Sequence, residues 1–174
     1  MFAVLDKDII DFIDILGKQN RVLDSLVQME EKKRQVIILG QVEELNKIMQ
    51  KEGILVSNIQ KLEDARFKSH EKLARIWGMS VDELPASLIS ARVKETWPEL
   101  AGELQVAIEK LTHSLSQLKA MNEENNNLIN QSLDYIHSLQ SLLTGEVAGT
   151  YSDMGMQVDE TTSRPTIRLL DKKI

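Results

Sequence analysis

The chain is organised around the stretch 97–143, whose second half, residues 121–143, reads MNEENNNLINQSLDYIHSLQSLL. Pro98 stands near its start, where a proline costs a helix nothing because a first-turn N–H has no partner within the helix. Apolar residues then recur at steps of three or four, the pattern of one helical face. They are Leu100, Leu104, Ile108, Leu111, Leu115 and Leu118. The stretch therefore predicts a single long helix.

A cluster of asparagines interrupts this apolar face at Asn122, Asn125, Asn126 and Asn127. Asparagine is a mediocre helix former because its side chain competes for backbone hydrogen bonds. A second apolar run follows the cluster, consisting of Leu128, Ile129, Leu133, Ile136, Leu139 and Leu143. Two explanations for the asparagines are open: a solvated or polar layer that fixes helix register, or a recognition site for a partner.

Two further long helices precede this one. An apolar seam from Ile9 to Ile37 predicts a helix over about 4–39, and a seam from Leu45 to Ile76 predicts a second over about 41–77. A glycine follows each seam, at Gly40 and at Gly78, and glycine favours helix C-termini because it adopts positive φ without strain. A continuous helix through Gly40 stays open as an alternative, because a lone glycine costs a helix only ~1 kcal/mol. Polar residues interrupt both seams; they are Asn20, Glu30 and Arg34 in the first and Glu52 and Arg66 in the second.

A connector links the second and third long helices. Ser80 and Glu83 have the spacing of a capping box, which predicts a short helix over about 80–92. Pro85 within it indicates that this helix is brief or kinked. Trp77 and Trp97 flank the connector, and we expect them to pin it to the bundle.

The predicted fold is an all-α, elongated antiparallel bundle of three long helices, over about 4–39, 41–77 and 97–143. We expect residues 1–144 to form the bundle domain and residues 145–174 a poorly structured tail, because Gly145, Gly149 and Gly155 stand among Thr, Ser and Asp residues. The apolar seams are equally compatible with a monomer and with a homodimer.

Charge is distributed unevenly along the chain. Between Ala120 and Ser163 there is no lysine or arginine, whereas the segment contains the acidic residues Glu123, Glu124, Asp134, Glu146, Asp153, Asp159 and Glu160. The second apolar run therefore has an acidic rim. A partner helix with an apolar face and flanking lysines or arginines would complement it.

Composition excludes several classes of function. The formal net charge of -6 argues against binding to nucleic acid or to an anionic membrane. The chain has no cysteine, which excludes disulfides and thiolate chemistry. No apolar run approaches the roughly 20 residues that a membrane-spanning helix needs, and the first residues lack the features of a signal peptide. We therefore expect a cytoplasmic protein without membrane insertion.

No motif for catalysis is present. His70, His113 and His137 lack partners at the spacing of known zinc motifs, and neither a phosphate-binding loop nor a nucleophile elbow occurs. We expect no catalytic residue, no cofactor and no metal, and so no enzyme. Three roles are left open: a module that binds a partner helix, a homo-oligomeric coiled-coil scaffold, and a regulatory bundle whose tail masks its own groove.

The segment 121–136, MNEENNNLINQSLDYI, resembles the signature of the FlgN family. The resemblance lies in the Asn122 and Asn125 pair and in the residues that follow it, Leu128, Ile129, Ser132, Leu133, Tyr135 and Ile136. The tail segments TYSDMG at 150–155 and RLLDKK at 168–173 also resemble the family's ending.

FlgN-type proteins are cytoplasmic export chaperones of the bacterial flagellum. The resemblance implies that this chain binds the C-terminal helical segments of the first and third hook-associated proteins and delivers them to the flagellar export gate. It implies a partner-binding surface formed by Asn122, Asn125, Leu128, Ile129, Ser132, Leu133, Tyr135, Ile136, Leu139 and Leu143. We further expect the tail, through Tyr151, Gly155, Leu169 and Leu170, to mask this surface or to contact the export gate.

Overall fold

The computed structural model describes the backbone of residues 2–144 and the side chains of residues 6–141. This part of the chain is helical, and we label its α-helices α1 (Phe2–Ile38), α2 (Val42–Ile76), α3 (Ala86–Thr96) and α4 (Pro98–Thr144). The long helices are α1, α2 and α4. A single 3₁₀ turn, Val81–Glu83, lies between α2 and α3. No strand occurs in residues 2–144, which confirms the predicted all-α fold. No helix in the same range is both long and apolar enough to cross a membrane.

A tight turn at Gly40 reverses the chain between α1 and α2. Gly40 has a φ of +67°, a conformation that strains any residue with a Cβ atom. The N–H of Gln41 donates to the carbonyl of Val36 at 3.0 Å, so the chain closes α1 with the Schellman pattern. Gly78, with a φ of +68°, ends α2 in the same way, as the sequence predicted.

Side-chain contacts define the directions of the three long helices. Gln19 of α1 donates to Glu63 of α2 at 3.0 Å, and Lys33 donates to Glu52 at 3.0 Å; these pairs make α1 and α2 antiparallel. The contacts between α1 and α4 advance together along both helices, so these two helices run parallel. They are Asn20 with the Ala107 carbonyl at 3.0 Å, Asp24 with Lys110 at 2.7 Å, and Arg34 with Glu124 at 2.9 Å.

The connector differs from the prediction of one helix over about 80–92. The structure has a 3₁₀ turn, then a break at Leu84 and Pro85, then a helix that continues to Thr96. Leu84 precedes a proline, which disfavours the helical conformation of that residue, and Pro85 is the N-cap of α3. Glu83 accepts the Ser80 N–H at 2.9 Å, as the capping-box spacing predicted.

The hydrophobic core is concentrated where the connector covers the start of α1 and the end of α2. Trp97 is buried there and donates its indole N–H to Asp6, while the Arg92 guanidinium lies 5.1 Å from the ring centre of Trp77. Both tryptophans thus hold the connector, as expected. The buried residues of this core are Ile9, Phe12, Ile13, Leu16, Leu73, Ala74, Leu84, Ile89, Val93, Trp97 and Leu104.

Contacts divide the chain into one compact unit, Met1–Asn130, and a second, Gln131–Ile174. The first unit contains α1, α2, the connector and α4 as far as Asn130. The second contains the remainder of α4. Residues 145–174 lie outside the described part of the chain, so the predicted division between a bundle of residues 1–144 and a tail remains a prediction.

Candidate interaction site on the last helix

The last described turns of α4 present apolar side chains to solvent. Every residue from Gln131 to Gln140 is exposed. We call four of them the C-terminal stripe, and their exposed fractions are 48% for Leu133, 66% for Tyr135, 47% for Ile136 and 41% for Leu139. Apolar residues that recur at helical spacing normally face a core. This surface instead lacks a covering element within the described residues.

The other candidate residues of the second apolar run have different environments. Leu128 and Ile129 are half-buried in the first unit, and Ser132 is exposed in the second. The backbone of Leu143 is helical, but its side chain lies outside the described residues. The tail candidates Tyr151, Gly155, Leu169 and Leu170 also lie outside them.

Asn125 faces the interior of the first unit. Its side chain is only 1% exposed, and its amide donates to Glu30 of α1 twice, to the carbonyl oxygen at 2.9 Å and to the carboxylate at 2.6 Å. Asn122, one turn earlier, donates to the same carboxylate at 3.1 Å. The structure thus gives Asn125 a contact within the chain and leaves it almost no surface for a partner, and its predicted contact with a partner stays untested.

Glu30 lies at the centre of a buried polar layer between three helices. Lys33 donates to Glu30 at 2.9 Å and to Glu52 of α2 at 3.0 Å. One ammonium group thus contacts two carboxylates, and the side chains of these three residues are at most 14% exposed. Glu30, Lys33, Glu52 and Asn125 are buried or nearly so, and the exposed Asn122 lies at the edge of the layer. We refer to these five residues as the polar layer.

The polar layer shifts the pKa values of its two carboxylates in opposite directions. Burial alone would raise the pKa of Glu30, but hydrogen bonds from Lys33, Asn125 and Asn122 together hold that pKa below its ordinary value. Burial raises the pKa of Glu52, because the bonds from Lys33 do not offset its lost hydration and the nearby charge of Glu30. The layer therefore favours the ionised form of Glu30 and disfavours that of Glu52.

The sequence contained part of this layer. Glu30 and Glu52 interrupt the apolar seams of α1 and α2, and Asn122 and Asn125 interrupt that of α4. A polar residue in the apolar seam of each of three helices indicates that these polar residues meet at one level of the bundle. Lys33 was not identified, since a lysine one turn from a glutamate is usually an exposed helical pair.

The described residues offer no site for metal chemistry. No group of three histidine or acidic side chains within them could hold a metal ion. His70 contacts the carbonyl of Leu84 at 2.7 Å and so serves the junction between α2 and the connector.

Comparison with known proteins gives one match. The family model described as FlgN protein matches residues 1–159. No curated protein and no solved structure matches the chain.

Proposed function

The chain belongs to the FlgN family of flagellar export chaperones, and from that premise we propose that it binds the C-terminal helical segments of the first and third hook-associated proteins. In this proposal the chaperone acts in the cytoplasm, keeps these segments soluble and unassembled before secretion, and delivers them to the export gate. The binding surface is the C-terminal stripe.

The exposure of the C-terminal stripe is the observation that supports this proposal most. Leu133, Ile136 and Leu139 each expose between 41% and 48% of their surface, so about half of each side chain is available for burial by a partner. Complete burial of such a side chain contributes roughly 1.5–3 kcal/mol before ordering costs. An amphipathic helix that covers the stripe would gain part of this free energy from each residue.

The acidic charge of this part of the chain is complementary to a cargo helix with lysines or arginines beside its apolar face. The segment from Ala120 to Ser163 contains no lysine or arginine, and Asp134 stands beside Leu133 on the exposed turns. A partner with lysines or arginines beside its apolar face would meet acidic side chains in this segment and no lysine or arginine. Complementary charge of this kind affects partner choice and the rate of association more than affinity.

The candidate residues have different roles in this proposal. Leu133, Ile136 and Leu139 provide the apolar contact, and the exposed Tyr135 provides an aromatic side chain, a residue type that is common at interfaces. Leu128 and Ile129 are half-buried in the first unit, and their contact with cargo stays a prediction. Asn125 supports the bundle instead of contacting cargo.

A double substitution tests the proposal. Leu133→Asp with Ile136→Asp places two carboxylates on the stripe, and a cargo helix would have to bury them without partners. We expect the affinity for each hook-associated fragment to fall by about a hundredfold or more, because roughly 3 kcal/mol or more would be lost. Isothermal titration calorimetry measures this affinity, and circular dichroism measures helicity.

Val106→Asp is the matched control, since Val106 lies on the same helix and is 65% exposed. We expect it to leave affinity unchanged. Undiminished binding by the double variant would contradict the proposal. A chain that binds neither fragment and forms a large homo-oligomer would favour the coiled-coil scaffold instead.

A further inference from the structure

A basic stripe runs along α2 of this acidic protein. Eight positions at steps of three or four share this face, and five of them are lysines, in the order Lys47, Lys51, Ile54, Asn58, Lys61, Ala65, Lys68 and Lys72. The chain as a whole has a formal net charge of -6, so overall composition does not account for a helix face without a single acidic residue. The part of the stripe from Lys47 to Lys68 is about 30 Å long at 1.5 Å per residue.

A groove between α1 and α2 lies at the middle of this stripe. It is a shallow, open groove of about 420 Å³, lined by Lys18, Arg21 and Val22 of α1 and by Asn58, Lys61 and Leu62 of α2. Val22 and Leu62 are half-buried and provide apolar surface, while the three cations stand around them. One turn before Asn58, Ile54 is 64% exposed and adds a further apolar contact.

Some of the cations on this surface have carboxylate partners and others do not. Lys18 of the groove pairs with Asp14 at 2.6 Å, and the end lysines of the stripe are paired as well, Lys47 with Glu44 at 2.6 Å and Lys72 with Asp8 at 2.5 Å. No carboxylate among residues 6–141 lies within 4 Å of Arg21, Lys61 or Lys68. Like charges that share one groove repel one another, and an acidic ligand would relieve that repulsion.

We propose that this groove is a second interaction surface, which binds an acidic amphipathic helix of a partner protein. Two neighbouring helices with apolar side chains between them can seat a third helix by its apolar face. The surrounding lysines and arginine then select glutamates and aspartates on both sides of that face. This surface belongs to α1 and α2, whereas the proposed cargo surface belongs to α4, so the chaperone would bind cargo and this partner through different elements.

A labelled helical peptide of about 20 residues, matched to the length of the stripe, is the probe. It carries leucines at helical spacing with glutamates beside them, and fluorescence anisotropy measures its binding to the full chain. We expect Arg21→Glu with Lys61→Glu to weaken binding at least about tenfold, and Arg21→Gln with Lys61→Gln to weaken it less. Binding should also weaken between about 0.05 M and about 0.5 M salt, because salt screens exposed charges.

The matched control is Lys94→Glu with Lys119→Glu. Both lysines are exposed and lie outside the groove, and the substitution changes net charge by the same amount. Equal loss of binding in both double variants would overturn the proposal, since it would show attraction to overall charge. Absence of binding, or equal competition by a single-stranded oligonucleotide, would also overturn it. Cargo affinity measured on the same variants should not change, which separates this proposal from that for the C-terminal stripe.

Discussion

Asn125 is buried, although the neighbouring Asn122, Asn126 and Asn127 are all exposed. Its amide satisfies two acceptors of Glu30, the backbone carbonyl and the carboxylate. A buried carboxylate that loses a donor is left partly unsatisfied, which costs more than the hydrogen bond contributes. The position therefore matters for the stability of the bundle and for the alignment of α4 with α1.

Asn125→Ala tests this role. We expect it to lower the free energy of unfolding by about 1–3 kcal/mol, because two acceptors of Glu30 lose their donor. Urea unfolding followed by circular dichroism measures the change. Asn126→Ala, on the exposed neighbour, should stay within about 0.5 kcal/mol of the parent. Equal stability of the two variants, or a loss of cargo affinity in folded Asn125→Ala, would contradict the assignment.

The sequence identified the asparagine cluster as special but left its two explanations open. Periodicity placed Asn122 and Asn125 on the apolar face of α4, and it could not distinguish a buried turn from an exposed one. Whether this turn is buried depends on Glu30 and Lys33 of α1 and Glu52 of α2. These residues are distant from Asn125 in sequence and close to it only in the folded unit. The same limit applies to Leu133 and Ile136, whose spacing is equally typical of a core.

At the scale of elements, the polar layer joins α1 to α2 through Lys33 and α1 to α4 through Glu30. Lys33 contacts Glu30 and Glu52, and the two carboxylates respond to pH in opposite ways. Glu30 has a lowered pKa, so its contribution to stability is present above the ordinary value of 4.5 and is lost as pH falls through the lower folded value. Glu52 has a raised pKa, so its contribution is present below 4.5 and is lost as pH rises through the higher folded value.

Glu52→Gln isolates the second of these effects. The substitution removes a buried charge while it keeps an oxygen that accepts from Lys33, so we expect the variant to be more stable than the parent at neutral pH. The advantage should shrink as pH falls towards 4.5, where the parent's Glu52 becomes protonated in both states. Thermal unfolding across this pH range measures the difference. An advantage that grows towards acid pH would contradict the account.

The elements themselves were predictable wherever local chemistry decides them. Gly40 and Gly78 marked helix ends because a positive φ favours glycine, and Pro98 marked the start of α4. The connector was less predictable. Pro85 signalled an interruption, but its place as the N-cap of α3 depends on how Leu84 and Ile89 enter the core.

At the scale of the whole molecule, one set of apolar side chains is buried and another is exposed. The core residues of the first unit, such as Ile9, Leu73 and Leu104, are buried by other helices. The C-terminal stripe in the second unit has no covering element within the described residues. From this contrast we propose different roles for the two units. The first unit supports the fold, and the last turns of α4 bind the cargo helix.

Hydrogen exchange on the full chain, with and without the C-terminal helical fragment of each hook-associated protein, tests this central claim most directly. Amides of a helix exchange more slowly when a bound partner suppresses its local opening. We predict that the fragment slows exchange in the last turns of α4, at residues 131–141, and leaves α2 unchanged. Protection that appears on α1 and α2 instead, with residues 131–141 unaffected, would contradict the account.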